Sequence, residues 1–142
     1  MKAEPRWISK KALLLLHEES LATFGGASGM RDEGLLDSAL ARPQNLYAYR
    51  RDCSIAELAA AYAFGIAKNH AFVDGNKRAA FLSIGLFLAI NGWRLVAGQV
   101  DAIQTVLAVA AGELGESGLA AWIEKYAVLP GGTATGRKDG RR

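Results

Sequence analysis

The fold is decided by residues 54–90, which read SIAELAAAYAFGIAKNHAFVDGNKRAAFLSIGLFLAI. Two strongly apolar segments flank a polar loop in this stretch. Ser54 and Glu57 have the spacing of a capping box, which predicts a helix from there to about Lys68. The second segment predicts a helix from about Asn76 to Ile90, closed by an Asn-Gly pair. Because both segments are apolar nearly all round, we expect them to be the central helices of an all-α fold.

Shorter helices are expected on both sides of this pair. Their boundaries are marked by N-cap residues and helix breakers. The expected helices are Lys10 to about Phe24 after Ser9, a short helix after the N-cap Asp32 that Pro43 stops, about 100–111, and about 117–127 with Ser117 as its cap. No repeat or strand alternation is present. The sequence therefore predicts a compact bundle of about six helices, with the polar loop between the two central ones.

The charge distribution separates a neutral domain from a basic tail. The net charge of +3 comes from residues 130–142, since residues 1–129 hold 13 basic and 13 acidic side chains. We expect residues 1–129 to form the domain and residues 130–142 to be a disordered basic tail. A non-catalytic nucleic-acid-binding module that uses this tail is the less favoured alternative, and we expect no specific nucleic-acid binding by the domain itself.

The cysteine content and the longest apolar run bear on location. Cys53 is the single cysteine, so no internal disulfide can form, which fits a reducing compartment. The longest apolar run, Ala79 to Ile90, is too short to span a bilayer. No signal-peptide pattern follows Met1. We therefore expect a cytoplasmic protein without a membrane partner.

The loop His70-Ala-Phe-Val-Asp-Gly-Asn-Lys-Arg78 has the residues of a phosphate site. Its last three residues begin the second central helix, whose first turn presents unpaired N–H groups that favour an anion. Gly75 lets the backbone approach a phosphate closely. Lys77 and Arg78 oppose the helix macrodipole, so something anionic should offset them. A polyphosphate would do so, and a solvated helix end is the less favoured alternative.

Two further side chains complete a catalytic set. A polyphosphate in water carries Mg²⁺, and Asp74 is the carboxylate placed to hold it. Histidine accepts a proton near neutral pH, which makes His70 the candidate base. Taken singly, His70 could be an ordinary exposed histidine and Asp74 a loop residue. Together with the phosphate cradle they predict an enzyme that transfers a group from a nucleotide.

The pattern His-x-Phe-x-Asp-Gly-Asn-Lys-Arg closely resembles the loop of the Fic/Doc superfamily, in its Doc or "death on curing" branch. Three flanking segments are similar as well: 29–32, 36–44 and 87–92. The resemblance covers roughly residues 7–127 and implies the helical Fic/Doc fold.

The resemblance implies a role for each loop residue. His70 would be the general base, Phe72 the anchor that holds the loop in the core, and Asp74 the Mg²⁺ carboxylate. Phosphate binding would fall to the residues that follow it, Gly75, Asn76, Lys77 and Arg78. Residues 44–53, which have no helical period, should be an exposed loop or short hairpin and match the family's target flap in position. Tyr47 and Tyr49 there could contact a target or simply pack.

Two positions bear on the reaction. AMP-transferring Fic enzymes have a second glycine where this chain has Lys77, and an arginine where it has Phe81. By resemblance, the lysine implies a kinase that transfers the γ-phosphoryl group of ATP, with Mg²⁺, to a threonine or serine of a translation factor such as elongation factor Tu. Translation would stop, and a small antitoxin protein would restrain the toxin. AMP or another nucleotidyl transfer is the alternative.

Overall fold

The computed structural model describes residues 3–130, and the predicted tail from residue 131 onward lies outside the described residues. Six helices account for most of this part of the chain, so the predicted all-α bundle is confirmed. The helices are α1 (Lys10–Phe24), α2 (Glu33–Tyr49), α3 (Ile55–Asn69), α4 (Asn76–Ile90), α5 (Gln99–Ala110) and α6 (Glu116–Tyr126). Two-residue strands β1 (Arg94–Leu95) and β2 (Ala127–Val128) pair antiparallel beside them.

Helix α3 lies at the centre and packs against α2, α4, α5 and α6. Ten of its 15 residues are buried, many of them alanines that let the neighbouring helices approach closely. The predicted capping box starts it: Ser54 Oγ accepts from the Glu57 N–H at 3.0 Å, and Glu57 Oε1 accepts from the Ser54 N–H at 2.7 Å. Because α3 and α4 are consecutive and packed together, the loop between them is held at the edge of the core.

Helix α2 corrects two predictions. It does not stop at Pro43 but continues to Tyr49, so the expected loop or hairpin is wrong for residues 44–49, whereas residues 50–53 form a turn. Pro43 is fully buried, and Leu46 and Tyr47 pack against the core. Their burial outweighs the cost of about 3 kcal/mol that a proline imposes inside a helix.

The start of α6 corrects a third prediction. Gly115 is the N-cap and Ser117 lies within the first turn, so Ser117 is not the cap. Glu116 forms an ion pair with Arg42 of α2, which fixes the start of the helix. No helix of residues 3–130 is both long enough and apolar enough to cross a membrane.

Candidate catalytic loop

The loop between α3 and α4 is built on two left-handed residues. His70 is the C-cap of α3 with φ 52° and ψ 49°, and Gly75 is the N-cap of α4 with φ 78°. Among residues 3–130, His70 is the single non-glycine residue with positive φ. Such a conformation is uncommon outside glycine and is concentrated at functional sites. It turns the chain sharply at the residue that the sequence identified as the base.

The predicted chemical residues lie around one cavity of about 370 Å³. Phe72, the expected anchor of the loop, does not line this cavity but is buried beneath it with 2% of its surface exposed. The cavity is lined by His70, Val73, Asp74, Gly75, Asn76, Lys77 and Arg78. A candidate base, a carboxylate and a helix N-terminus therefore face the same space.

The carboxylate of Asp74 is held by backbone groups. Its Oδ2 accepts from the Ala27 N–H at 3.2 Å and its Oδ1 from the Gly75 N–H at 2.8 Å. The pKa of Asp74 lies below its usual value. The hydrogen bond from Ala27 contributes most and the one from Gly75 follows, while the positive charges of Arg78 and Lys77 have a weaker effect. The group is thus a pre-oriented anion at neutral pH.

This carboxylate fits a Mg²⁺ site of the kind that nucleotides use. Each oxygen receives a single N–H, which leaves lone pairs for a cation. Residues 3–130 contain no cluster of three or more potential metal-ligating side chains. Mg²⁺ commonly takes one or two protein carboxylates and completes its octahedron with phosphate oxygens and water. Asp74 could hold the ion in this way.

The first turn of α4 has free donors. No side chain caps the helix, and the backbone bond from Ala79 N–H to the Gly75 carbonyl, 2.9 Å, is the first one of the helix. The N–H groups of Asn76, Lys77 and Arg78 precede it and are available to an anion. A Cβ at Gly75 would lie 3.3 Å from His17 Nε2, so glycine is required both for its φ and for space.

Two cradle residues have additional contacts that the sequence did not indicate. The side-chain amide of Asn76 bonds both backbone groups of Phe72, accepting from its N–H and donating to its carbonyl at 3.0 Å each. Its side chain thus closes the loop, which leaves its backbone N–H for a phosphate. Arg78 lies over the Phe24 ring, 4.4 Å from the ring centre.

A buried histidine supports the loop from below. His17 of α1 stacks on Phe72 with ring centroids 3.7 Å apart, and its Nε2 lies 2.7 Å from the carbonyl oxygen of Asp74. Since a carbonyl can only accept, Nε2 donates. In the sequence His17 is followed by Glu18 and Glu19, which are typical of an exposed helix face and do not mark a buried support. A contact across 57 residues leaves no local signal.

Comparison with known proteins agrees with this geometry. The model of the Fic/DOC family matches residues 7–88, more than half of the chain. The chain belongs to the Fic/DOC family. It is 36% identical over 115 residues to "Protein kinase doc" of Escherichia phage P1, which covers 81% of this chain and 90% of that protein. It is 48% identical over 75 residues to "Toxin Doc" of Mycolicibacterium smegmatis, covering 52% and 58% respectively. The chain is thus a Doc-like member.

Segment 25–32 lies along the Fic/DOC loop, and its residues 29–32 are among those that resemble the family's flanking segments. Met30 and Phe72 form an antiparallel bridge, and the Val73 N–H donates to the Gly29 carbonyl at 3.0 Å. Gly29 has φ 124°, and a Cβ there would approach Val73. The glycines of segment 25–32 indicate an unusual backbone conformation, although they do not indicate that the segment pairs with the loop.

The two tyrosines proposed for a target flap lie elsewhere. Tyr47 packs edge-on against Trp7, 5.7 Å between ring centres, and lines a separate cavity with Cys53 and Trp93. No residue of the Fic/DOC loop lines that cavity. Tyr49 is the last residue of α2 and is 87% exposed. Residues 44–49 are helical and do not form the expected hairpin, while a contact of Tyr47 or Tyr49 with a target stays a prediction.

Proposed function

We propose that this protein is a toxin kinase that transfers the γ-phosphoryl group of ATP to a threonine or serine of a translation factor such as elongation factor Tu, arresting translation. The observation that carries the proposal is the single cavity on which His70, Asp74 and the uncapped N-terminus of α4 converge. Phosphoryl transfer requires mainly positioning and charge neutralisation, and this cavity provides groups for both.

Each residue has a defined task in this reaction. The target's hydroxyl oxygen attacks the γ-phosphorus while the bond from that phosphorus to the bridging oxygen breaks, and ADP leaves. His70 takes the proton of the hydroxyl. The first-turn N–H groups of α4, with Lys77 and Arg78, hold the phosphate oxygens. Mg²⁺, when bound at Asp74, would neutralise phosphate charge.

Lys77 favours the kinase over the nucleotidyl transferase. It lies in the first turn of α4 and its exposed side chain lines the cavity, where it adds a charge beside the phosphates. The phage relative, which aligns over most of both chains, is named a protein kinase. Transfer of AMP is the alternative. Incubation with elongation factor Tu, Mg²⁺ and ATP labelled at either the α or the γ phosphate separates them, because label from the α position on the target would overturn the kinase.

A partner antitoxin is part of the proposal, supported by the name of the mycobacterial relative. A groove of about 490 Å³ between α1, α4 and α5 contains exposed apolar side chains, among them Phe24, Ile103 and Leu107. Exposed apolar patches mark interaction sites. Lys77 and Arg78 line both this groove and the catalytic cavity, so a segment bound in the groove would cover the phosphate cradle.

Charged substitutions test whether the antitoxin binds in this groove. Ile103→Glu and Leu107→Glu should leave growth arrest by the toxin intact but prevent an antitoxin from relieving it. Relief that is unchanged in both variants would place the antitoxin on another surface.

The nucleic-acid alternative makes a different prediction. Binding through the basic tail should weaken steeply with salt and vanish when residues 130–142 are removed.

The kinase needs ATP, Mg²⁺ and a translation factor, so the proposal includes a cytoplasmic location. Growth arrest that survives His70→Ala would remove the main support of both enzymatic readings.

A further inference from the structure

Three consecutive carbonyls, at the end of α3 and the start of the catalytic loop, accept hydrogen bonds from one residue, Arg31. Its Nε donates to the His70 carbonyl at 2.7 Å and its Nη2 to the Asn69 carbonyl at 3.2 Å. Its backbone N–H donates to the Ala71 carbonyl at 2.7 Å. The guanidinium therefore binds the end of α3 at the turn that presents the candidate base.

His70 needs such support because of its backbone conformation. A left-handed residue after a helix is usually glycine, which adopts it without steric cost. Glycine has no imidazole, so a catalytic histidine at this position must be held in a disfavoured conformation by its surroundings. The last carbonyls of a helix also lack partners within it. A planar guanidinium can satisfy two of them in one fixed geometry, which a lysine cannot do.

The backbone of Arg31 is itself fixed against the loop. The preceding residues pair with it through the Met30–Phe72 bridge, and the Asp32 N–H donates to the Ala71 carbonyl at 2.9 Å. Asp32 then caps α2 by accepting from the Leu35 N–H at 3.0 Å. The backbone of Arg31 is therefore held in place, which fixes where its guanidinium can contact the carbonyl of His70.

We propose that Arg31 is a positioning residue for His70: by holding the carbonyls of Asn69 and His70, it keeps His70 left-handed, with its imidazole at the cavity. Arg31 does not line that cavity, so it acts through His70 rather than on the nucleotide. The catalytic part of the inference rests on the proposed role of His70 as base, whereas the conformational part does not.

Kinetics test the catalytic part. With elongation factor Tu, ATP and Mg²⁺, Arg31→Gln in the full chain should lower kcat by about tenfold or more, because misplaced catalytic groups lose rate steeply. The KM for ATP should change by no more than about twofold, since the phosphate cradle is untouched. Arg94→Gln is the matched control, because Arg94 is an exposed arginine of β1 that lies outside both the catalytic loop and residues 44–53. Equal kcat in both variants would overturn the proposal.

A backbone measurement tests the conformational part without any substrate. In ¹³C,¹⁵N-labelled protein, chemical shifts and scalar couplings report φ at residue 70. The positive φ should be lost or averaged in Arg31→Gln and kept in Arg94→Gln. Retention in Arg31→Gln would overturn the proposal even if the wild type is an active kinase. If Arg31→Gln loses the positive φ at residue 70 but the wild type transfers no phosphate, the proposed function is refuted and the positioning role stands.

A milder variant covers the case in which Arg31→Gln does not fold. Arg31→Lys keeps the charge but can engage only one carbonyl at a time. It should show averaging of φ at residue 70 and a smaller loss of kcat. Wild-type φ together with wild-type kcat in Arg31→Lys would refute the need for a two-carbonyl contact.

Discussion

The Nε2 atom of His17 lies 2.7 Å from the backbone carbonyl oxygen of Asp74, so that a buried imidazole of α1 supports the residue proposed to hold Mg²⁺. The same ring stacks on Phe72 at 3.7 Å. The loop is therefore fixed from beneath by a ring contact and a hydrogen bond, while its upper side carries the charged groups of the cavity. A side chain that does not line the cavity thus supports the residues proposed to be catalytic.

The two contacts of His17 can be separated by substitution. His17→Phe keeps a ring beside Phe72 but leaves the Asp74 carbonyl without its donor, which should lower the free energy of unfolding by about 1–2 kcal/mol. His17→Ala loses both contacts and leaves a cavity, so its loss should be larger, about 2–4 kcal/mol. Urea denaturation gives both values. If His17→Phe is as stable as the wild type, the hydrogen bond has no stabilising role.

Gly75 should not tolerate a side chain. Its φ of 78° and the 3.2 Å and 3.3 Å approaches of a Cβ to Leu21 and His17 predict that Gly75→Ala destabilises the protein and distorts the cradle. The left-handed conformation alone costs about 1–2 kcal/mol for alanine. Gly85→Ala is the control: Gly85 lies within α4 with open space around it, and alanine should stabilise that helix by up to about 1 kcal/mol. Thermal melts that rank the two variants in the opposite order would contradict this account.

A carboxylate should not be able to replace the side-chain amide of Asn76. Asn76→Asp can still accept from the Phe72 N–H but places an acceptor against the Phe72 carbonyl, which should cost about 1–3 kcal/mol. Phosphoryl transfer should fall with it, because the loop opens. The exposed Asn45 of α2 offers the same change in charge and should shift stability by no more than about 0.5 kcal/mol. Equal denaturant midpoints for the two variants would show that the amide does not close the loop.

Acid should reduce the stabilisation that Asp74 provides. Its pKa is lowered in the folded protein, chiefly by the Ala27 and Gly75 N–H groups, so ionised Asp74 binds its proton less readily folded than unfolded. The contribution is fully present above the unfolded pKa of about 3.9 and is lost as pH falls through the lower folded value. Wild type should therefore exceed Asp74→Asn in stability at neutral pH, and the difference should shrink in strong acid. A difference that stays constant across unfolding curves from neutral to acidic pH would contradict the assigned hydrogen bonds.

Helix positions could be predicted from local patterns, and the failures have a common cause. Ser9, Asp32 and Ser54 cap their helices as expected because capping depends on a few adjacent residues. Pro43 did not end α2, since buried contacts from distant parts of the chain outweigh its local preference. Tertiary burial of this kind is invisible to a pattern read along the chain.

The sequence could predict which residues of the loop line the cavity, whereas it could not predict the side chains that support the loop. His70 and Asp74 fall within one short motif, and they face one cavity. His17 and Arg31 reach the same loop from far along the chain. Arg31 lies in segment 29–32, which resembles the family's, but no adjacent residue indicates which part of the chain either side chain contacts. Asn76 was assigned to phosphate because it lies in the motif, yet its side chain holds Phe72.

The most direct test of the central claim is the initial rate at which label from γ-labelled ATP appears on purified elongation factor Tu in the presence of Mg²⁺, with wild type, His70→Ala and Lys77→Gly side by side. We predict transfer by the wild type, a loss of about a hundredfold or more in His70→Ala, as expected for removal of a general base, and impaired γ-transfer in Lys77→Gly. Equal rates for wild type and His70→Ala, or label reaching the target only from the α position, would contradict the account.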